Sequence, residues 1–158
     1  MNKLMKYGLF IIAFLFSCNI SSDKPTADKI IHTYIAALNE SNYKQIESCI
    51  SDSLVTMEGG FVLTKSSKDY YVHFQWDSVF KPEYRVLEVN AKGDSVDVKL
   101  SKTCQRIRIL HGDPLIYKAT CILKEGKLTE IIRTEYLNSD WDKWKNNVSK
   151  LYEWVNAN

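Results

Sequence analysis

The apolar residues of this chain change period near its middle, and that change restricts it to a fold in which helices rest on a sheet. Behind Thr26, a good capping residue, Ile30, Ile31, Tyr34, Ile35 and Leu38 recur at the spacing of one helix face, which predicts a helix over 26–39. Ser41 or Asn42 can cap a second, short helix that presents Tyr43, Ile46, Cys49 and Ile50 and stops near 51–53. Residues 54–63 read as extended but interrupted by Gly59-Gly60, and Ser66 with Asp69 forms a capping pattern for a third helix carrying Tyr70, Tyr71, Phe74 and Trp76. From Tyr84 the period falls to 2. Segments 84–90 and 95–101 flank Lys92-Gly93, an arrangement that sets Val89 opposite Val96 and Leu87 opposite Val98. Segments 103–110 and 115–123 flank the turn signal His111-Gly112-Asp113-Pro114, and Glu125-Gly126 leads into a strand over 128–137. Turns this short predict a four-stranded antiparallel meander. Ser139 with Asp142 opens a last helix whose stripe of Trp141, Trp144, Val148, Leu151 and Val155 must be buried, and the open sheet face would suit it. The expected class is α+β, with N-terminal helices packed on a curved meander sheet and an extra C-terminal helix over 139–158.

Ahead of this domain, Lys3 and Lys6 precede an apolar run over 7–16 and then Ser17-Cys18. A basic start and about ten apolar residues make a secretory leader, because so short a run cannot cross ~30 Å of hydrocarbon. The segment Leu15-Phe16-Ser17-Cys18 resembles the lipobox of bacterial lipoproteins, which implies a signal peptide over 1–17, acylation of Cys18 and a lipidated tether over 18–25. Asn19 rather than an acid after that cysteine implies an outer-membrane placement in the cell envelope, periplasmic or surface-facing. The 21 basic residues less the two lysines of the leader equal the 19 acidic ones. A balanced chain without clustered Lys and Arg lacks the counterion-release energy that nucleic acid requires, so nucleic acid is excluded as a partner. The expected partners are a small-molecule ligand or an envelope protein, and the membrane through the lipid, with the domain a monomer or homodimer.

On the predicted turn centred at Gly112-Asp113, Cys104 and Cys121 face each other, and opposed Cβ atoms about 4.5–5.5 Å apart are near disulfide distance. An exported domain with that pair is expected to form the bond. No Cys/His spacing suggests zinc, and no metal or other cofactor is implied.

The run 30–39, followed by Tyr43, Ile46, Ile50, Ser51-Asp52-Ser53 and Val55, is similar to the opening of the nuclear-transport-factor-2-like superfamily. That superfamily includes ketosteroid isomerases, polyketide cyclases and dehydratases, and also proteins without a reaction. The resemblance covers residues 27–137 and implies a conical half-barrel with an apolar cavity between sheet and helices, dimerising in many members through the open sheet face. In the isomerases a tyrosine of the first helix donates to the substrate oxyanion and a carboxylate on the next strand takes the proton; Tyr34 and Glu58 match those places. His73 would serve as the base in dehydratase-like members. The second oxyanion donor, an acid on the third strand, has no counterpart in Lys118-Ala119-Thr120, which favours binding over steroid isomerisation.

The predicted pairing leaves two faces open as the cavity wall. One carries Arg106, Arg108, Tyr117, Glu130, Thr134 and Tyr136 beside Cys104, Ala119, Cys121 and Ile132, and would make Arg106, Arg108, Tyr117 and Glu130 a polar pocket for an anionic or hydroxylated ligand. The other carries Ile107, Ile109, Ile116, Ile122 and Ile131, broken by Lys118, Arg133 and Glu135. The functional expectation is a lipid-anchored domain that binds a small apolar or amphipathic molecule or a partner protein without catalysis. The alternative is a small cofactor-free isomerase, cyclase or dehydratase using Tyr34 and Glu58.

Overall fold

The computed structural model describes residues 25–158, so the leader, Cys18 and most of the expected tether lie outside the described residues. Helix α1 (Ala27–Asn39) begins where Thr26 Oγ1 accepts from the Lys29 amide at 3.4 Å, and it buries Ile30, Ile31, Tyr34, Ile35, Ala37 and Leu38. Asn42 caps α2 (Tyr43–Cys49), accepting from the Gln45 amide at 3.2 Å. Strand β1 (Ile50–Glu58) turns into β2 (Phe61–Thr64) through Gly59 and Gly60, whose φ values of 56° and 83° are the reason two glycines stand there. Helix α3 (Ser67–Ser78) starts as a reciprocal cap. Ser66 Oγ accepts from the Asp69 amide, and the Asp69 carboxylate accepts from the Lys65 amide.

The meander follows as β3 (Glu83–Lys92), β4 (Ser95–Thr103), β5 (Leu115–Lys124) and β6 (Lys127–Tyr136). These strands join β1 and β2 in one six-stranded sheet of order β2-β1-β6-β5-β4-β3, antiparallel except for β1 beside β6. The layout is the α+β arrangement expected, with α1 and α3 against the concave face of a curved sheet. The main core lies between them, built on Ile31, Ile46, Ile50, Leu54, Val96 and Leu128, all almost wholly buried.

Three details depart from the sequence reading. First, 103–110 is not a whole strand: β4 ends at Thr103, and Gln105–Leu110 is helix α4. The alternation in this short run fits either period, and burial settles it, because Ile107 and Leu110 point inward one turn apart while Ile109 is 66% exposed. Cys104 caps this helix, its Sγ accepting from the Ile107 amide at 3.4 Å. The expected Cys104–Cys121 disulfide is therefore absent. Cys121 pairs with Val96 on β4, six residues back from Lys102, and strand rise alone puts about 20 Å between that point and the end where Cys104 lies. Cys49, Cys104 and Cys121 are all free and buried.

Second, the registers slip. In the β3/β4 hairpin the loop is Gly93-Asp94, so Val89 faces Val98 and Ala91 faces Val96; a shift of two keeps the faces, and a bulge between Val86 and Glu88 leaves Leu87 out of the ladder. In the β5/β6 hairpin the Glu125-Gly126 turn is as expected. A bulge between the Leu123/Leu128 and Ile122/Glu130 pairs then shifts the ladder by one residue, and Cys121 faces Ile131 while Ala119 faces Arg133; a second bulge brings Tyr136 opposite Tyr117. A one-residue slip exchanges the two faces of a strand. Ile131 and Arg133 thus share the face of Cys121 and Ala119, where the expected pairing set Glu130, Ile132 and Thr134.

Third, α5 (Trp141–Ala157), capped by Asp140, buries no residue completely. Its first half is attached: Trp144 packs on the small core of Cys104, Ile107 and Leu115, and Asn147 Nδ2 donates to the Leu110 carbonyl at 3.0 Å. Buried His111 fixes its entry, with Nε2 accepting from the Asp140 amide at 3.1 Å and Nδ1 bonded to the Asp113 carbonyl at 2.7 Å. The second half leaves Leu151, Tyr152, Trp154 and Val155 exposed, because a 17-residue helix about 25 Å long outruns the platform of the six-residue α4. It does not cover the sheet, whose outer face is polar, with Lys118 paired to Glu135 and Asp97 accepting from Thr120.

Candidate functional site

Two neighbouring chambers lie between α1, α3 and the concave face of β4–β6. The inner chamber, about 80 Å³, is walled by Ile31, Ile35 and Leu38 of α1, Phe74 of α3, Val98 and Leu100 of β4, and Ala119 and Cys121 of β5. Phenols supply its polarity. Tyr34 and Tyr70 bond to each other through their hydroxyls, and Tyr84 Oη donates to Asp77 at 3.0 Å. Burial raises the pKa of Tyr34, Tyr70 and Tyr84 well above the ordinary value and pushes Tyr117 up to about 12, so all four stay neutral donors at physiological pH. The Cys121 thiol, likewise raised by burial to about 12, is an inert wall.

The outer chamber, about 330 Å³, carries the charges and the aromatic rim: Glu58, Asp77, Lys102, Arg106 and Arg133, with Trp76, Tyr136, Trp141 and Trp144. Leu63, His73, Asp77, Lys102, Tyr117 and Arg133 line both chambers and mark their boundary. Asp77 accepts from Lys102 Nζ at 2.8 and 2.9 Å. Burial works to raise the Asp77 carboxyl, but the ammonium and its hydrogen bonds prevail and hold it below the usual carboxylate range. At Lys102 burial prevails over Asp77 and lowers the ammonium. Arg133 pairs with Glu58 and lies 4.9 Å over the Tyr117 ring, and Tyr136 Oη donates to the other Glu58 oxygen at 2.6 Å. His73 is exposed at the boundary. Desolvation against that wall, outweighing the pull of Asp77, lowers its imidazole below the ordinary value.

Arg106 reaches the outer chamber from α4 rather than from a strand. Its guanidinium lies 4.5 Å from the Trp76 ring centre, 5.4 Å from Phe80 and 5.9 Å from Trp144, and its buried Nε has no hydrogen-bond partner. The other residues singled out from sequence are dispersed. Tyr34 lines only the inner chamber and Glu58 only the outer, so they do not form one proton-transfer pair. Tyr117 lines both chambers, whereas Glu130 lines neither. Arg108 is exposed and paired with Glu83 at 2.6 Å, because it sits on the far side of α4 once that run is helical. His32 is exposed near Asp28, one helical turn away.

The residues that sequence reasoning passed over are Asp77 and Lys102, which it gave no role, and Arg133, which it set on a face of unknown direction. A signal existed for Lys102, a long cation that follows Val96, Val98 and Leu100 on one strand face, an arrangement that needs a buried partner. For Asp77 the signal was its place four residues after His73 on one helix. Among the described residues no cluster of three His, Cys, Asp or Glu could hold a metal ion.

No protein-family model matches the sequence, and no curated protein matches it either. Solved structures do. A nuclear-transport-factor-2-like protein of unknown function from Cytophaga hutchinsonii is 15% identical with a TM-score of 0.59, covering 72% of this chain and 92% of that one. A putative polyketide cyclase from Streptomyces antibioticus is 13% identical with a TM-score of 0.60, over 77% and 97%. A putative ketosteroid isomerase from Kribbella flavida is 13% identical with a TM-score of 0.57, over 70% and 79%. The fold is that of the nuclear-transport-factor-2-like proteins. At these identities the likeness extends to the fold alone, and function must be argued from the cavity.

Proposed function

We infer that this domain binds a small amphipathic molecule in the two chambers and performs no chemistry on it. The polarity of the cavity carries the reading: an apolar inner end, limited by neutral phenols, adjoins an outer chamber lined by Lys102, Arg106 and Arg133. Both acids of the site are already engaged, Asp77 by Lys102 and Tyr84, Glu58 by Arg133 and Tyr136. Neither is a free base. Native mass spectrometry of the purified chain, with titration by anilinonaphthalene sulfonate, tests this. Bound mass or saturable dye fluorescence is expected, and a bare chain that takes up no dye refutes the reading.

One observation favours a second reading, isomerase, cyclase or dehydratase chemistry. His73 lines both chambers, has no hydrogen-bond partner among the described residues and is biased toward its neutral form, as a general base requires. Under that reading an α-deuterated naphthyl ketone loses deuterium in the presence of the protein, by NMR, and His73→Gln abolishes the loss. No exchange in the wild type refutes it.

The leader, Cys18 and the polar segment after it support a domain tethered by lipid in a bacterial cell envelope, at the outer membrane. Labelled palmitate incorporated by the wild type and not by Cys18→Ser would support that placement; equal labelling would refute it.

A further inference from the structure

We propose that Arg106 makes the outer chamber a recognition site for one carboxylate, so that the molecule held here is an amphipathic monocarboxylate whose apolar body enters the inner chamber. The proposal rests on the binding reading above. Of the three cations that line the outer chamber, Lys102 is matched by Asp77 and Arg133 by Glu58. Arg106 has no carboxylate partner among the described residues. His73, biased toward neutrality, adds no compensating or competing charge at pH 7. The chamber therefore holds one positive charge in excess.

The way Arg106 is held favours a planar acceptor. Trp76, Phe80 and Trp144 surround the guanidinium as cation–π partners. The N–H donors of a guanidinium form a planar fork that matches the two parallel bonds a carboxylate accepts. No ring can satisfy those donors, and Nε is already without an acceptor. Charge narrows the class further. A phosphate monoester carries close to two negative charges at pH 7, and Glu58 and Asp77 line the same chamber, so the second charge would stand uncompensated beside two carboxylates. A monoanion fits the excess of one. The carboxylate and the apolar body belong to one molecule because the two chambers are neighbours that share His73, Asp77, Lys102, Tyr117 and Arg133 as lining.

Calorimetric titration of the full chain with naphthoate and with naphthylmethanol, which share an apolar body and differ in the head group, tests the proposal. The wild type is expected to prefer naphthoate by about tenfold or more, the scale of one charge-assisted hydrogen bond. Arg106→Gln should remove the preference while binding naphthylmethanol as before, and Arg106→Lys, which keeps the charge but not the fork, should retain only part of it. Arg108→Gln, on the opposite side of the same helix, should match the wild type. Equal wild-type binding of the two compounds, or a preference that survives both Arg106 substitutions, overturns the carboxylate site and leaves the cavity reading standing. Failure of the wild type to bind either compound overturns both. Should Arg106→Gln not fold, the wild-type preference and its partial reduction in Arg106→Lys decide the matter.

Discussion

Replacing Asp77 by alanine strands a buried cation, and the structure fixes the size of the effect. The Lys102 and Asp77 side chains are only 12% and 10% exposed, and the carboxylate accepts from both Lys102 and Tyr84. Breaking a buried pair from one side costs about 3–5 kcal/mol, because the remaining charge keeps its desolvation without its partner. There is also a ceiling. Lys102 can release its proton, and doing so at pH 7 from the ordinary lysine value of 10.5 costs about 1.4 kcal/mol per unit, or roughly 5 kcal/mol in all. Urea unfolding at pH 7, followed by tryptophan fluorescence, should therefore show Asp77→Ala losing about 3–5 kcal/mol. The sign with pH is fixed too. Lys102 titrates lower in the folded state than in the unfolded chain, and losing Asp77 lowers it further, so the unfolded variant binds more protons and its deficit against the wild type must shrink as pH rises from 7 toward 10. Asp77→Leu with Lys102→Met removes both charges and should recover to within about 2 kcal/mol of the wild type, the residue being the unpartnered Tyr84 hydroxyl. A single-variant loss below about 1 kcal/mol, or a deficit indifferent to pH, refutes the argument.

Alkaline stability should fall for a related reason. Tyr117 titrates at about 12 against 10.0 for a free phenol, so its contribution is whole below pH 10 and lost as pH climbs to 12, on the order of 2–3 kcal/mol, and Tyr117→Phe should flatten that part of a Tm-against-pH curve. Reductant should leave Tm unchanged, since Cys49, Cys104 and Cys121 are free; a drop of several degrees in dithiothreitol would restore the disulfide. On α5, Trp144→Ala should cost about 2–3 kcal/mol in urea unfolding and Trp154→Ala less than about 0.5, because only the first packs on the small core; equal losses would mean that the whole helix is held.

What could be read in the sequence was whatever a short stretch of chain decides for itself. The caps at Thr26, Asn42 and Ser66, the glycine turn at Gly59-Gly60, the Glu125-Gly126 hairpin and the apolar face of α1 each follow from residues within one or two turns of one another. They suffice for an α+β order of elements, whereas the cavity was implied only by the family resemblance, with the face that lines it left open. The rest depended on contacts between distant segments. QRIRIL satisfies either period, and only a platform for Ile107 and Leu110 made it a helix, which moved Arg106 into the chamber, turned Arg108 outward and carried Cys104 away from Cys121. Bulges in β5 and β6 reversed one strand, and so Arg133, rather than Glu130, meets the ligand space. Local propensity sets which elements form because the energies involved lie between near neighbours; side-chain direction turns on a single residue of register, and only the packing of the finished sheet against its helices supplies the energy to choose that register.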